Sequence, residues 1–226
     1  MNDITNTLLD CIEIETGADP RYAVIWLHGL GADGNDFAPI VPELQLSDIG
    51  PIRFVFPHGP VRPVTINNGM AMRAWYDIYM PDLVRREDEA GLRESQQAVE
   101  ALIARENARG IPTERIVLAG FSQGCAMSLQ TGLRHPQKLA GIIGLSGYLP
   151  LAARAPEERH EANAHTPIFL AHGTMDPVVT FDRAEATLDA LQTMGYSVRF
   201  KTYPMPHSVC LEEVNDIAAF LREVLV

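Results

Sequence analysis

A serine between two glycines is the strongest chemical signal in this sequence, in the segment Gly120-Phe-Ser122-Gln-Gly124. The apolar run 116–119 precedes it and predicts a buried strand, and a helix-like segment follows. A G-x-S-x-G pattern between a strand and a helix is typical of a sharp, strained turn that exposes the serine hydroxyl. The glycines leave space for the neighbouring strand and helix. We therefore expect Ser122 to be a catalytic nucleophile.

A serine hydroxyl is a weak nucleophile, so it needs a general base and an acidic residue that orients the base. Asp176 is the candidate acid, because it follows the predicted strand 167–171 and so lies at the ligand-binding edge of a parallel sheet. The alternative for Asp176 is a turn residue before Pro177, or a helix cap. Other acidic candidates fall within predicted helices: Asp182, Asp189 and Asp216.

His207 is the candidate base, since it lies after the last predicted strand and before the last predicted helix. Serine, then acid, then histidine is the chain order of such a triad on alternating strands and helices. The alternative for His207 is a helix-capping turn with an incidental histidine. His172 is a rival base, but it precedes the acid and ends a strand. We therefore expect His172 to bond local backbone groups.

The oxyanion that forms during acyl transfer needs preorganised N–H donors, each of which contributes about 3–4 kcal/mol. One donor is expected to be the amide of Gln123, the residue after the nucleophile. The other is expected from the loop after the predicted strand 22–28, where Leu30 lies between two glycines. Those glycines let the backbone turn the Leu30 amide toward the site.

The same loop also matches a dinucleotide-binding fingerprint, because residues 29–34 read G-x-G-x-x-G after a strand. A nicotinamide cofactor would require an acidic residue about 20 positions later, at the end of the next strand, to hold the ribose. That predicted strand, 52–57, ends without a carboxylate. The dinucleotide interpretation is therefore much weaker than the oxyanion interpretation.

Predicted strands and helices alternate from one end of the chain to the other, which indicates one α/β domain over residues 1–226. Continuous apolar runs such as 22–28 are typical of strands buried on both faces of a mostly parallel sheet. Residues 9–15 alternate between apolar and polar side chains, as a half-exposed edge strand would. Residues 57–80 show no periodicity and predict a long functional loop.

Methionine and aromatic side chains are concentrated in this long loop. They suit an apolar acyl chain, and they would also suit anchoring of the loop to the core. The residues concerned are Met70, Met72, Trp75, Tyr76, Tyr79 and Met80. Met70 and Trp75 are our candidates for the substrate pocket.

The composition excludes several classes of partner. A net charge of −11 argues against nucleic acid or an anionic membrane. No apolar stretch is long enough to span a membrane, and residues 1–7 do not predict a signal peptide. Three cysteines without a C-x-x-C pair indicate neither a disulfide framework nor a zinc site, so we expect a reducing cytoplasm. Cys125 is expected to be a packing residue rather than a second nucleophile.

With these residues in place, the chain resembles the acyl-protein thioesterase and small carboxylesterase family of α/β-hydrolases. The resemblance runs from about Tyr22 to the last predicted helix. Its most specific segments are His28-Gly-Leu-Gly-Ala-Asp-Gly, Pro60 to Asp77, Gly120-Phe-Ser-Gln-Gly and His172-Gly-Thr-Met-Asp-Pro-Val-Val. The chain departs from many relatives at Tyr76, where they have phenylalanine, and the segment 145–148 lacks a tryptophan found in some members.

The resemblance implies an α/β-hydrolase fold with helices on both faces of the sheet and no separate cap domain. It implies the triad Ser122, Asp176 and His207, with Leu30 and Gln123 as the oxyanion donors, and no metal or cofactor. It places Trp75, Val178 and Val179 near the acyl pocket. Members of the family often form weak homodimers.

We expect a serine carboxylesterase that hydrolyses short- to medium-chain esters through an acyl-enzyme. The alternatives are an acyl-protein thioesterase, an acyltransferase or peptidase on the same fold, and a binding module without activity. The expected partner is a small ester or an acylated protein. Neither nucleic acid nor stable membrane insertion is expected.

Overall fold

A central β-sheet organises residues 8–82 and 86–226, the parts of the chain that the computed structural model describes. The strands in these ranges are β1 (Cys11–Glu15), β2 (Tyr22–Leu27), β3 (Ile52–Pro57), β4 (Val61–Val64), β5 (Met70–Arg73), β6 (Ile116–Phe121), β7 (Gly141–Leu145), β8 (Ile168–Gly173) and β9 (Val198–Tyr203). Residues 1–7, for which no signal peptide is predicted, lie outside the described ranges.

Seven of these strands form the central sheet in the order β1-β3-β2-β6-β7-β8-β9. Strand β1 pairs antiparallel with β3 at one edge, which confirms the edge strand that alternation predicts there. All other neighbours in this sheet are parallel. Parallel strands end at one common edge, so the loops after β2, β6, β8 and β9 converge there.

Helices cover both faces of the sheet. Within the described residues they are α1 (Ile40–Glu43), α2 (Glu89–Ala108), α3 (Gln123–Arg134), α4 (Ala155–Glu158), α5 (Phe181–Thr193) and α6 (Leu211–Val224). None of them combines the length and the apolar character that a membrane crossing requires. The mostly parallel sheet between two layers of helices confirms the predicted α/β architecture.

Strand β2 is apolar along its length because both of its faces are covered by helices. Ala23, Ile25 and Leu27 pack in the core that contains α2, α3 and α5. Val24 and Trp26 pack in the core on the opposite face, with α1 and α6. Successive side chains of a strand point to opposite faces, so a strand with helices on both sides must be apolar at every position.

The predicted long loop is wrong in part, because residues 57–80 contain the two-stranded sheet of β4 and β5. Val61 pairs with Arg73 and Val64 with Met70, in antiparallel register. The strands are four residues long and partly exposed, and Pro63 lies within the first of them. Strands this short carry too few alternations for a period to be detected.

Candidate active site

Ser122 lies in a turn that requires a glycine two residues before it and another two residues after it. It follows β6 directly, precedes α3, and has φ 57° and ψ −117°, an unfavourable backbone conformation for a residue with a side chain. A Cβ atom at Gly120 would lie 2.1 Å from the carbonyl oxygen of Gly124, and a Cβ atom at Gly124 would lie 2.0 Å from that of Leu27. The backbone approaches itself too closely for any other residue at these two positions.

The structure brings Ser122, His207 and Asp176 together. The Nε2 atom of His207 lies 3.0 Å from the Ser122 Oγ atom, and its Nδ1 atom lies 2.6 Å from Oδ2 of Asp176. The carboxylate accepts hydrogen bonds, so Nδ1 carries the imidazole proton and Nε2 is left with a lone pair for the serine proton. This is the tautomer that a general base for Ser122 requires.

The two carboxylate oxygens of Asp176 have different partners, so the geometry is compatible with both interpretations of this residue. Oδ1 accepts hydrogen bonds from the amides of Val178 at 2.8 Å and Val179 at 3.0 Å, which is the turn function. Oδ2 faces His207. The Asp176 side chain is completely buried. The turn therefore fixes the orientation of the carboxylate toward the imidazole.

The loops that carry the acid and the base are packed against each other. A Cβ atom at Gly173, the last residue of β8, would lie 2.3 Å from the Met205 carbonyl oxygen. The amide of Met175 donates to the same carbonyl. The ring centroids of Phe121 and His207 lie 4.7 Å apart. The loop that carries His207 is thus held against the end of β8, and the imidazole itself packs on Phe121 at the end of β6.

His172 is excluded as the base of Ser122 by its position. Its Nε2 atom lies 2.8 Å from the Val179 carbonyl oxygen, so Nε2 carries the proton and donates it there. Burial lowers the pKa of His172 and favours the neutral ring. This confirms that His172 bonds local backbone.

The two predicted oxyanion donors lie beside Ser122. Leu30 and Gln123 line the same cavity as the serine. Within the described ranges neither backbone N–H donates a hydrogen bond to the protein. Gln123 is also the first residue of α3, where the helix dipole favours negative charge. The arrangement can receive a developing oxyanion.

The side chain of Gln123 is fixed by a contact that the sequence did not reveal. Its Oε1 atom accepts a hydrogen bond from the Trp75 amide at 3.0 Å, and its Nε2 atom donates to the Tyr76 carbonyl at 2.9 Å. Ser95 in turn donates to the carbonyl of Trp75. No local signal identifies this contact, since Trp75 and Gln123 are 48 positions apart in the sequence. The first residue of α3 is therefore tied to the segment after β5.

His28 fixes the loop that carries Leu30, the second predicted oxyanion donor. The amide of Gly59 donates to its Nε2 atom at 2.9 Å, so Nδ1 carries the proton and donates to the Gly29 carbonyl at 2.7 Å. Burial lowers the pKa of His28, which favours this neutral form. Trp75 Nε1 donates to the His28 carbonyl at 2.8 Å. These bonds fix the backbone on the N-terminal side of Leu30.

Two glycines of the dinucleotide-like pattern have structural functions of their own. Gly31 has φ 77°, a left-handed conformation, and its amide donates to the Arg73 carbonyl at 2.8 Å. A Cβ atom at Gly34 would lie 2.3 Å from the Phe56 carbonyl oxygen. The pattern thus reflects a tightly packed loop beside Ser122.

A cavity of about 260 Å³ opens beside the serine. Its lining comprises Leu30, Ile66, Asn67, Tyr76, Ile78, Pro81, Ser122, Gln123, Tyr148, Val178 and Val179. Val178 and Val179 thus line the cavity, as the resemblance implies. Within the described ranges, no group of three or more His, Cys, Asp or Glu side chains could hold a metal ion.

The placement of Trp75 and Met70 in the acyl pocket is not what the structure shows. Trp75 is completely buried, and its ring lies against His28 with centroids 5.1 Å apart. Met70 lies at the start of β5 and is 65% exposed. Neither side chain is among those that line the cavity.

Comparison with known proteins agrees with this geometry. The phospholipase/carboxylesterase family model matches residues 9–225. The chain is 47% identical to acyl-protein thioesterase 1 of Neurospora crassa over 89% of its own length and 86% of the relative's. It is 41% identical to acyl-protein thioesterase 1 of Mycosarcoma maydis, with 95% of each chain covered.

Solved structures give the same result. SOBER1 of Arabidopsis thaliana has a TM-score of 0.86 and 35% identity, over 91% of this chain and 100% of that one. Acyl-protein thioesterase 2 of Zea mays has a TM-score of 0.83 and 27% identity, over 96% and 100%. The chain therefore belongs to the phospholipase/carboxylesterase family and is an α/β-hydrolase.

Proposed function

We propose that this protein is a serine hydrolase that removes acyl groups from thioesters of acylated proteins. The observation that carries the proposal is the 3.0 Å contact between His207 Nε2 and Ser122 Oγ, with Asp176 behind the imidazole. The thioester substrate is favoured over our first expectation, an oxyester, because relatives at 41–47% identity are named acyl-protein thioesterase 1.

In the acylation step, Ser122 Oγ attacks the acyl carbonyl while His207 Nε2 takes the hydroxyl proton. The oxyanion is received by the amides of Leu30 and Gln123. Asp176 stabilises the imidazolium. Collapse of the intermediate breaks the bond between the carbonyl carbon and the leaving sulfur, and the imidazolium returns the proton to the thiolate. Ser122 then carries the acyl group as an ester.

In the deacylation step, water attacks the same carbonyl and His207 Nε2 takes the water proton. The second oxyanion is received by the same two amides. Its collapse breaks the bond to Ser122 Oγ, which recovers the proton from the imidazolium, and the carboxylic acid leaves. The side chains of Ser122, Asp176 and His207 and the two backbone amides thus act in both steps of the proposal.

Hydrolysis of small oxyesters is the second candidate function. A cavity of about 260 Å³ holds roughly eight or nine groups of the size of a water molecule or methylene, at about 30 Å³ each. A cavity of this size accepts a short or medium acyl chain. The same triad would cleave an oxyester, with an alcohol as the leaving group.

The cellular compartment is also part of the proposal. Cys11, Cys125 and Cys210 are unpaired, and free cysteines are common in a reducing environment. We therefore place the protein in the cytoplasm, where acylated proteins would be accessible to it.

Matched substrates test the proposal. We would compare kcat/KM for an S-octanoyl peptide, its O-octanoyl serine analogue and a small octanoyl ester. The thioesterase proposal expects the S-acyl peptide to be preferred, whereas preference for the small ester would support the carboxylesterase. Amide cleavage, or transfer to an added acceptor in place of water, would indicate a peptidase or an acyltransferase.

Two variants test the nucleophile. Ser122→Ala is expected to abolish turnover and labelling by a fluorophosphonate probe without loss of folding. Ser128→Ala is the matched control, because Ser128 is a buried serine of α3 that bonds the Gly124 carbonyl. Wild-type protein that neither reacts with the probe nor turns over any ester would refute the proposed function.

A further inference from the structure

Two tyrosine hydroxyls contact each other in the wall of the site cavity. The Oη atoms of Tyr76 and Tyr148 lie 3.0 Å apart, and both residues are buried. Hydrogen bonds fix the backbone near each of the two rings. Gln123 bonds the Tyr76 carbonyl, and the amide of Leu149, next to Tyr148, donates to Thr187 Oγ1 at 2.9 Å. The pair therefore forms a fixed part of the cavity wall.

A second cavity, of about 170 Å³, also has Tyr148 in its wall. Its lining comprises Tyr148, Leu149, Ala152, Arg183, Ala186 and Thr187. Ala152 and Ala186 are exposed, so this cavity opens to the surface. Among the described residues, Tyr148 alone contributes to the walls of both cavities.

We propose that Tyr148 is a specificity-determining residue, whose ring ends the acyl cavity and excludes longer chains from the second cavity. The hydroxyl contact with Tyr76 keeps the ring in this position. With the ring removed, the second cavity would add room for roughly five or six methylene-sized groups at about 30 Å³ each. This inference rests on the proposed function, since it requires an acyl chain to extend from Ser122 into the cavity.

The test measures kcat/KM for butanoyl, octanoyl and palmitoyl esters of one alcohol. Wild-type protein is expected to cleave the palmitoyl ester much less efficiently than the octanoyl ester. Tyr148→Ala is expected to raise the palmitoyl-to-octanoyl ratio about tenfold or more, the gain from burying about two further methylene groups. Tyr148→Phe keeps the ring and is expected to shift the ratio far less.

A filled second cavity provides the decisive control. Ala186→Leu alone is expected to leave the chain-length profile unchanged, whereas Tyr148→Ala combined with Ala186→Leu is expected to lose most of the palmitoyl gain. Thermal melting checks that each variant is folded, and Tyr148→Leu replaces Tyr148→Ala if the latter does not fold.

The inference is overturned if folded Tyr148→Ala keeps the wild-type profile, or if the gain persists after the second cavity is filled. Wild-type protein that cleaves palmitoyl and octanoyl esters equally well would also overturn it. These results leave the proposed function intact, because esters are still hydrolysed. Absence of hydrolysis at every chain length, with the matching thioesters as well as the esters, would instead refute the proposed function and this inference with it.

Discussion

The backbone N–H of Trp75 donates a hydrogen bond to Oε1 of Gln123 over 3.0 Å, and both residues are buried. Gln123 is the residue after the nucleophile, and its own amide is an expected oxyanion donor. The first residue of α3 is therefore positioned by the segment that follows β5, in addition to the turn at Ser122. We therefore expect Gln123 to act on the reaction through its backbone N–H and to hold the geometry of the site through its side chain.

Gln123→Ala is expected to lower kcat by about tenfold to a hundredfold with little change in KM. The upper end of this range approaches the loss of one oxyanion donor, which costs about 10²–10³ in kcat. Gln130→Ala is the control, because Gln130 is a buried glutamine of the same helix that bonds Gln96 on α2. Its kcat should stay close to that of the wild type. Equal effects of both changes would indicate general loosening of α3.

Asp176→Asn is expected to reduce kcat by roughly 10⁴ while the protein remains folded. The asparagine carbonyl can still accept the amides of Val178 and Val179, but its NH₂ group would face His207 and favour the tautomer that cannot take the serine proton. Steady-state kinetics and thermal melting measure the two effects separately. A variant with near-normal kcat would exclude Asp176 as the orienting acid.

Asp176→Ala separates the two functions of this carboxylate. It removes the acceptor of both turn amides as well as the partner of His207. We expect a loss of stability of about 1–3 kcal/mol beyond that of the asparagine variant, because the buried amide of Val179 is left without a partner. Equal melting temperatures for the two variants would contradict the turn function.

Glu213 is expected to make stability depend on pH. Its side chain is buried in α6. Burial raises its pKa from 4.5 to about 8; the backbone of Cys210 opposes this shift, and Asp216 adds a smaller contribution to it. Over this interval the folded state binds more protons than the unfolded state, so the free energy of unfolding falls as pH rises from about 4.5 to about 8.

Glu213→Gln is expected to flatten this dependence and to raise the melting temperature at pH values near 8. Glu212→Gln is the matched control, since Glu212 is the exposed neighbour in the same turn of α6. Melting temperatures of the three proteins across this pH range measure the effect. Parallel curves for wild type and Glu213→Gln would show that another group causes the pH dependence.

Cys125 is expected to remain unreactive in the folded protein. Burial raises the pKa of its thiol to about 12, so almost no thiolate is present at neutral pH. Iodoacetamide should leave Cys125 unmodified in peptide mass spectra and should leave ester hydrolysis unchanged, as should Cys125→Ala. Inactivation in proportion to Cys125 labelling would instead support a catalytic thiol.

Local sequence predicted the sharp turn at Ser122 and the chain order of the proposed triad. The space constraints at Gly120 and Gly124 arise within one strand, turn and helix, so the motif carries them in consecutive residues. Asp176 and His207 could be selected because parallel strands end at one edge, which makes the residue after each strand a site candidate. Periodicity also predicted which elements are buried on both faces.

Tertiary structure alone decided which side chains support this site and which line its cavity. Trp75 and Met70 have suitable chemistry for an acyl pocket, yet Trp75 is buried in the core and Met70 is exposed, and neither lines the cavity. Tyr76 and Tyr148 are 72 positions apart, and Gln123 is 48 positions from Trp75. Periodicity reports that a residue is buried, but its partner is set by packing between distant segments, for which a single sequence contains no local pattern.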